Sequence, residues 1–95
     1  MAAVKLLPSA VEDLERLVEF LRESDPPAAA QTASLIFEGL RVLGHHPLIG
    51  RPLEVDRREL VIYRGRSGYL AQYSYRIASG EVLVAAVRHQ REVDG

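Results

Sequence analysis

The spacing of apolar and polar residues changes period along this chain, and the changes divide it into elements. From Arg58 to Glu92 (RELVIYRGRSGYLAQYSYRIASGEVLVAAVRHQRE) the period is near two, broken by Arg64–Gly68 and Ala78–Gly80. Both interruptions carry Gly with small or polar partners, the chemistry of tight hairpin loops. Three strands follow, over Arg58–Tyr63, Tyr69–Ile77 and Glu81–His89. The middle one alternates, with Tyr69, Ala71, Tyr73, Tyr75 and Ile77 on one face and Leu70, Gln72, Ser74 and Arg76 on the other, so it is half exposed. The last, Val82-Leu83-Val84-Ala85-Ala86-Val87, is apolar on both faces and belongs inside the sheet.

Upstream the period is helical. Ala2–Leu7 is a short first strand ending at Pro8, and Ser9-Ala10-Val11-Glu12 fits a capping box with Ser9 as N-cap. Leu14, Leu17, Val18 and Leu21 then recur at helical spacing until about Ser24. Asp25-Pro26 restarts the chain as N-cap and first helical residue. The second helix has the stripe Ala29, Ala33, Ile36, Phe37, Leu40 and Leu43, with Gly44 as C-cap and His45 and His46 at the negative end of the dipole. So short a connection makes the helices an antiparallel hairpin, and only the sheet can cover their stripes. The expected fold is α+β, β-α-α-β-β-β, with a helix hairpin on a twisted antiparallel sheet of about four strands. Its core should hold Leu14, Leu17, Leu21, Ile36, Phe37, Leu40, Val82, Val84 and Ala86. Residues 46–57 form a loop marked by Pro47, Gly50 and Pro52, and the 95 residues make one domain, 1–95.

Composition narrows the chemistry. There are no cysteines, which excludes disulfides, thiolate ligands and a thiol nucleophile. His45 and His46 would point about 100° apart on a helix and cannot chelate one metal together, so neither metal nor cofactor is expected. The N-terminus lacks the apolar core of a signal peptide, and no apolar run reaches the ~20 residues of a membrane span, so a soluble cytoplasmic protein is expected.

The net charge of −1 conceals an asymmetry. Met1–Pro47 holds four basic and seven acidic residues, a balance of −3, whereas Arg57–Arg91 holds seven arginines against Glu59 and Glu81, a balance of +5. A basic strand region on a near-neutral protein suits an anionic partner, although arginines also solubilise an open sheet and guard its edges. His89 and Arg91 stand two residues apart at the end of a buried strand, where they could serve acid–base work on a phosphodiester or simply close the strand.

The order of several motifs over nearly the full length resembles the RelE/ParE superfamily of bacterial type II toxins. These are S-A-V-E-D-L at Ser9–Leu14, D-P-P-A-A at Asp25–Ala29, H-P-L-I-G-R at His46–Arg51, R-E-L-V-I at Arg58–Ile62, G-Y-L-A-Q-Y at Gly68–Tyr73 and V-L-V-A-A-V-R-H-Q-R-E at Val82–Glu92. The resemblance implies the toxin of a toxin–antitoxin pair, of the kind found in plasmid stabilisation systems. Such a toxin is held in a hetero-oligomer by a cognate antitoxin and needs no membrane.

The superfamily divides by target. Its ribosome-dependent ribonucleases usually carry a Tyr-Arg pair opening the middle strand and a C-terminal His-Arg segment running on to a Tyr. Here Leu70 follows Tyr69, and Asp94 stands where that Tyr would be. The Pro47–Arg51 loop and the His89-Gln90-Arg91 ending are more similar to the ParE branch, which inhibits DNA gyrase by binding. The resemblance therefore implies a ParE-like inhibitor rather than an enzyme. The alternatives are a messenger ribonuclease acting at the ribosome through a degenerate site of Arg76, Arg88, His89 and Arg91, and an inactive binding module of the same fold. For the antitoxin the expected contacts are an amphipathic helix beside Leu17 and Leu21 and an acidic segment on Arg64, Arg66 and Arg76.

Overall fold

The structure, a computed structural model, describes residues 1–64 and 67–90, the side chains of Arg64 and Ser67 excepted. The elements follow in the order β1 (Ala3–Leu6), α1 (Pro8–Ser24), α2 (Pro26–His45), β2 (Arg51–Pro52), β3 (Arg58–Arg64), β4 (Ser67–Arg76) and β5 (Glu81–His89). They build a five-stranded sheet of order β1-β5-β4-β3-β2, in which β1 runs parallel to β5 and the other neighbours are antiparallel. The α+β architecture is as expected, with two differences. The sheet is mixed, because the helix hairpin returns the chain to the same end before β5 pairs with β1. The loop also contributes a two-residue edge strand, β2.

The start of α1 departs from the expected capping box. Pro8 opens the helix, Leu7 is its N-cap, and no side chain caps it. Ser9, freed from capping, donates its hydroxyl to the carbonyl of Ala85 at 2.6 Å. One turn later Asp13, only 8% exposed, accepts the backbone N–H of Val87 at 3.0 Å. Pairing between β1 and β5 ends at Leu6–Val84, so these two side chains continue the ladder where the strand stops. Asp25 caps α2 as expected, accepting from the Ala28 N–H at 3.2 Å. Gly44 lies inside α2 rather than capping it, because the helix runs on to His45. A Cβ there would stand 3.3 Å from the Ala2 carbonyl, so the glycine serves the close approach of β1.

The core lies between the hairpin and one face of the sheet, with Ile36, Leu40, Leu43, Tyr73, Val82, Val84 and Val87 fully enclosed. Three expected core residues are not in it. Gln72 faces Ala86 but Tyr73 faces Val84, so Ala85 is an extra residue in β5. This bulge reverses the alternation, turning Val87 inward and leaving Ala86 half-buried on the other face. Leu21, near the end of α1, is half-buried. Phe37 is 50% exposed, because the inward ridge of α2 is Ile36, Leu40 and Leu43 and Phe37 lies about 100° around the helix from Ile36.

Candidate functional site

Two regions bear on function, the strand ends around His89 and the outer seam of the helix hairpin. At the first, β-pairing sets Tyr69 opposite His89, with ring centroids 5.2 Å apart at 87°. The Tyr69 hydroxyl lies 3.4 Å from the Thr32 hydroxyl, within the buried layer under α2. His89 is half-buried there, while its neighbour Arg88 is exposed on the opposite face of the sheet, beside Leu70. Arg76 pairs with Glu81 at the far end of β4. It is seven positions from Tyr69, or roughly 23 Å at the rise of a strand. Arg91 lies outside the described residues. Of the four residues named for phosphodiester chemistry, Arg88 and His89 are adjacent but face opposite ways, and Arg76 is remote from both. Among the described residues no group of three His, Asp or Glu could hold a metal ion.

The arginines divide by role. Arg58 donates from Nη1 to the carbonyls of Leu48 at 3.2 Å and Gly50 at 2.8 Å, holding the loop before β2. The same loop is pinned by the Gly50 N–H, which donates to the buried Tyr73 hydroxyl at 2.9 Å. Arg51 bonds the buried carboxylate of Glu59 through Nε at 3.1 Å and Nη2 at 2.8 Å. Arg57, Arg76 and Arg88 are exposed and available to a partner. Arg64 is at the end of β3, its side chain outside the described set, and Arg66 is outside it altogether. Glu81 carries a carboxyl held below its usual value near 4.5, first by its hydrogen bond with Lys5 and then by Ser79.

The second region is a groove of about 480 Å³ between α1 and α2. Val11, Leu14, Val18, Ala33 and Phe37 form its apolar floor and walls, and Glu15, Glu19 and Arg22 rim it. Leu17, expected beside a partner helix, is buried against the sheet instead. Ala33 and Phe37, one turn apart on α2, line the groove together with Val11 and Val18 of α1, and Phe37 is 50% exposed. The signal was present in the sequence, because a stripe holding both Ile36 and Phe37 is wider than one buried face requires. Among the described residues, no helix is long and apolar enough to cross a membrane.

Comparison with known proteins agrees with this architecture. Toxin RelE3 of Caulobacter vibrioides is 35% identical over 92 residues, covering 97% of this chain and 98% of that one. Toxin RelE1 of the same organism is 35% identical over 83 residues, 87% of each. Among solved structures, a chain of the chromosomal ParDE toxin–antitoxin system from P. aeruginosa superposes with a TM-score of 0.76 at 22% identity, covering 94% of this chain and 96% of that one. A chain of the RelBE2 toxin–antitoxin complex from Mycobacterium tuberculosis gives 0.57 at 22% identity, covering 94% and 98%. Residues 4–94 match the family described as the ParE toxin of the type II toxin–antitoxin system parDE. With that match over nearly its whole length, the chain belongs to the ParE toxin family, within the RelE/ParE superfamily of type II toxins.

Proposed function

We propose that this toxin arrests growth by binding its target, in the manner of a DNA gyrase inhibitor, and that a cognate antitoxin neutralises it. The observation that carries the first part is the scatter of the titratable and cationic groups. Phosphodiester cleavage needs an acid, a base and charge stabilisation within mutual reach of one bond. Here Arg88 turns away from His89 and Arg76 lies a strand's length off. Leu70 occupies the position where the ribonuclease branch usually has Arg. The relatives named RelE favour the competing ribonuclease reading. The two separate on one experiment, sequencing of messenger ends after induction. Binding-type arrest gives a DNA-damage response with intact messages, and ribosome-phased cleavage would overturn it.

The antitoxin reading rests on the groove. An amphipathic helix would bury Phe37 and Val11 between Glu15 and Arg22, while an acidic extended segment lies along the basic sheet region. Phe37→Asp should weaken antitoxin binding by at least ~100-fold, the scale of losing a central aromatic anchor. Melting temperature should hardly move, because Phe37 contributes little to the core. Replacing Arg64, Arg66 and Arg76 together by Ala should lower the association rate severalfold and flatten its salt dependence. Unchanged binding by Phe37→Asp would remove the groove from the antitoxin's footprint.

A further inference from the structure

The outer edge of β3 is half covered. Arg64 pairs with Ser67 across a two-residue connection, and on the other side the Leu53 N–H donates to the Arg57 carbonyl at 2.9 Å. Odd-numbered residues of β3 therefore aim their backbone groups away from β4. β2 reaches only Arg58 and Glu59, because the preceding chain leaves the edge at Gly50 to meet Tyr73. Among the described residues, nothing pairs with the outward N–H and C=O groups of Val61 and Tyr63. The devices that usually blunt such an edge are missing: Leu60–Tyr63 holds no charge and no proline. The outer edge of β2, by contrast, contains Pro52.

We propose that β3 pairs with β3 of a second copy of this chain, antiparallel and centred on Ile62. In that register Val61 faces Tyr63 of the other copy, and Tyr63 faces its Val61. Both residues point outward, so each facing pair exchanges two hydrogen bonds, four in all. On the sheet face away from the helices, Val61 is 37% and Tyr63 62% exposed. The pairing sets a β-branched side chain against an aromatic one twice, a favourable cross-strand combination. Neighbouring registers offer less. A shift of the centre to Val61 would need Glu59, which β2 already occupies, a shift to Tyr63 would leave only the Tyr63–Tyr63 pair among the described residues, and a half-step would set outward residues against inward ones. The edge is thus complementary to itself about a two-fold axis, as a symmetric dimer requires. Occupation would join two five-stranded sheets into one.

Four backbone bonds and two side-chain pairs make less than a standard interface, so the dimer dissociates in the range of about 10–100 µM. Sedimentation equilibrium of the free chain should show the mass rising from 10.6 kDa towards about twice that as concentration crosses this range. Val61→Lys, at an exposed position, should stay monomeric with an unchanged melting temperature. The register is tested separately, because the chain has no cysteine. A mixture of Val61→Cys and Tyr63→Cys should form an interchain disulfide at least ~5-fold more readily than either variant alone, since facing Cα atoms are about 5.5 Å apart. A wild-type chain that stays monomeric, a Val61→Lys chain that dimerises like wild type, or equal cross-linking in all three samples would overturn the proposal. So would a monomeric wild type whose antitoxin binding is weakened by Val61→Lys, which would give this edge to the antitoxin.

Discussion

Asp13 is the residue whose removal should say most about how the helix layer is held to the sheet. Its carboxylate accepts the Val87 N–H at 3.0 Å and, through the other oxygen, Arg16 Nη1 at 3.2 Å. Asp13→Ala would leave the Val87 amide without an acceptor in a buried setting, beyond the point where β1 can reach it. An unsatisfied buried donor costs about 1–3 kcal/mol, and because the lost bond is charge-assisted the upper half of that range applies. The Arg16 contact adds little, because that side chain is half exposed and water replaces its partner. A destabilisation of about 2–3 kcal/mol corresponds to a fall in melting temperature of roughly 10–20 °C for a domain of this size. Asp13→Asn keeps an acceptor oxygen and should lose only about 1 kcal/mol. The assay is urea and thermal unfolding beside the exposed control Glu12→Ala, with amide exchange followed at Val87. If Asp13→Ala lies within about 0.5 kcal/mol of the control, or Val87 keeps its protection, the carboxylate is not the ladder's continuation.

Leu40, 2% exposed, should cost about 2–5 kcal/mol when replaced by Ala, read as a lower urea midpoint at unchanged slope. Gly50→Ala would place a Cβ 2.7 Å from the Tyr73 hydroxyl and 2.9 Å from the Glu59 carbonyl, so it should displace the loop and cost about 1–3 kcal/mol. The Lys5–Glu81 pair predicts a pH dependence. Glu81 has a depressed carboxyl pKa in the folded state, so its contribution is present at neutral pH and lost as pH falls through the folded value, below 4.5. In melts from neutral to acid pH, Lys5→Met should sit below wild type at neutral pH and converge with it in acid; a gap that persists in acid would contradict the assignment.

The strands were legible because hairpin glycines and period-two alternation are local signals, and β5 came out over Glu81–His89 as its pattern indicates. By contrast, β3 runs one residue further, to Arg64, and β4 spans Ser67–Arg76 rather than Tyr69–Ile77, leaving Ile77 exposed in the turn. What the pattern concealed was set by contacts distant in sequence. The extra residue at Ala85 is invisible in an all-apolar run, so Ala86 passes for a core residue until its partner strand is known. Ser9 satisfies the rule for a helix cap, yet its hydroxyl serves a carbonyl 76 positions away. Phe37 shares the α2 stripe with Ile36, so hydrophobicity alone places both inward, whereas Phe37 is half exposed and floors a groove. Much of the candidate site was legible as well. Strand alternation alone sets Arg88 and His89 on opposite faces, and the turn at Ala78–Gly80 sets Arg76 at the other end of the hairpin, whereas the ring contact of His89 with Tyr69 depends on the exact register.

The proposed inhibition of DNA gyrase by binding can be measured on the purified enzyme. Supercoiling of relaxed plasmid should fall as the wild-type chain is added and return when the cognate antitoxin is present, and His89→Ala should inhibit as wild type does. Unchanged supercoiling at saturating toxin, together with messenger cleavage that His89→Ala abolishes, would contradict the account.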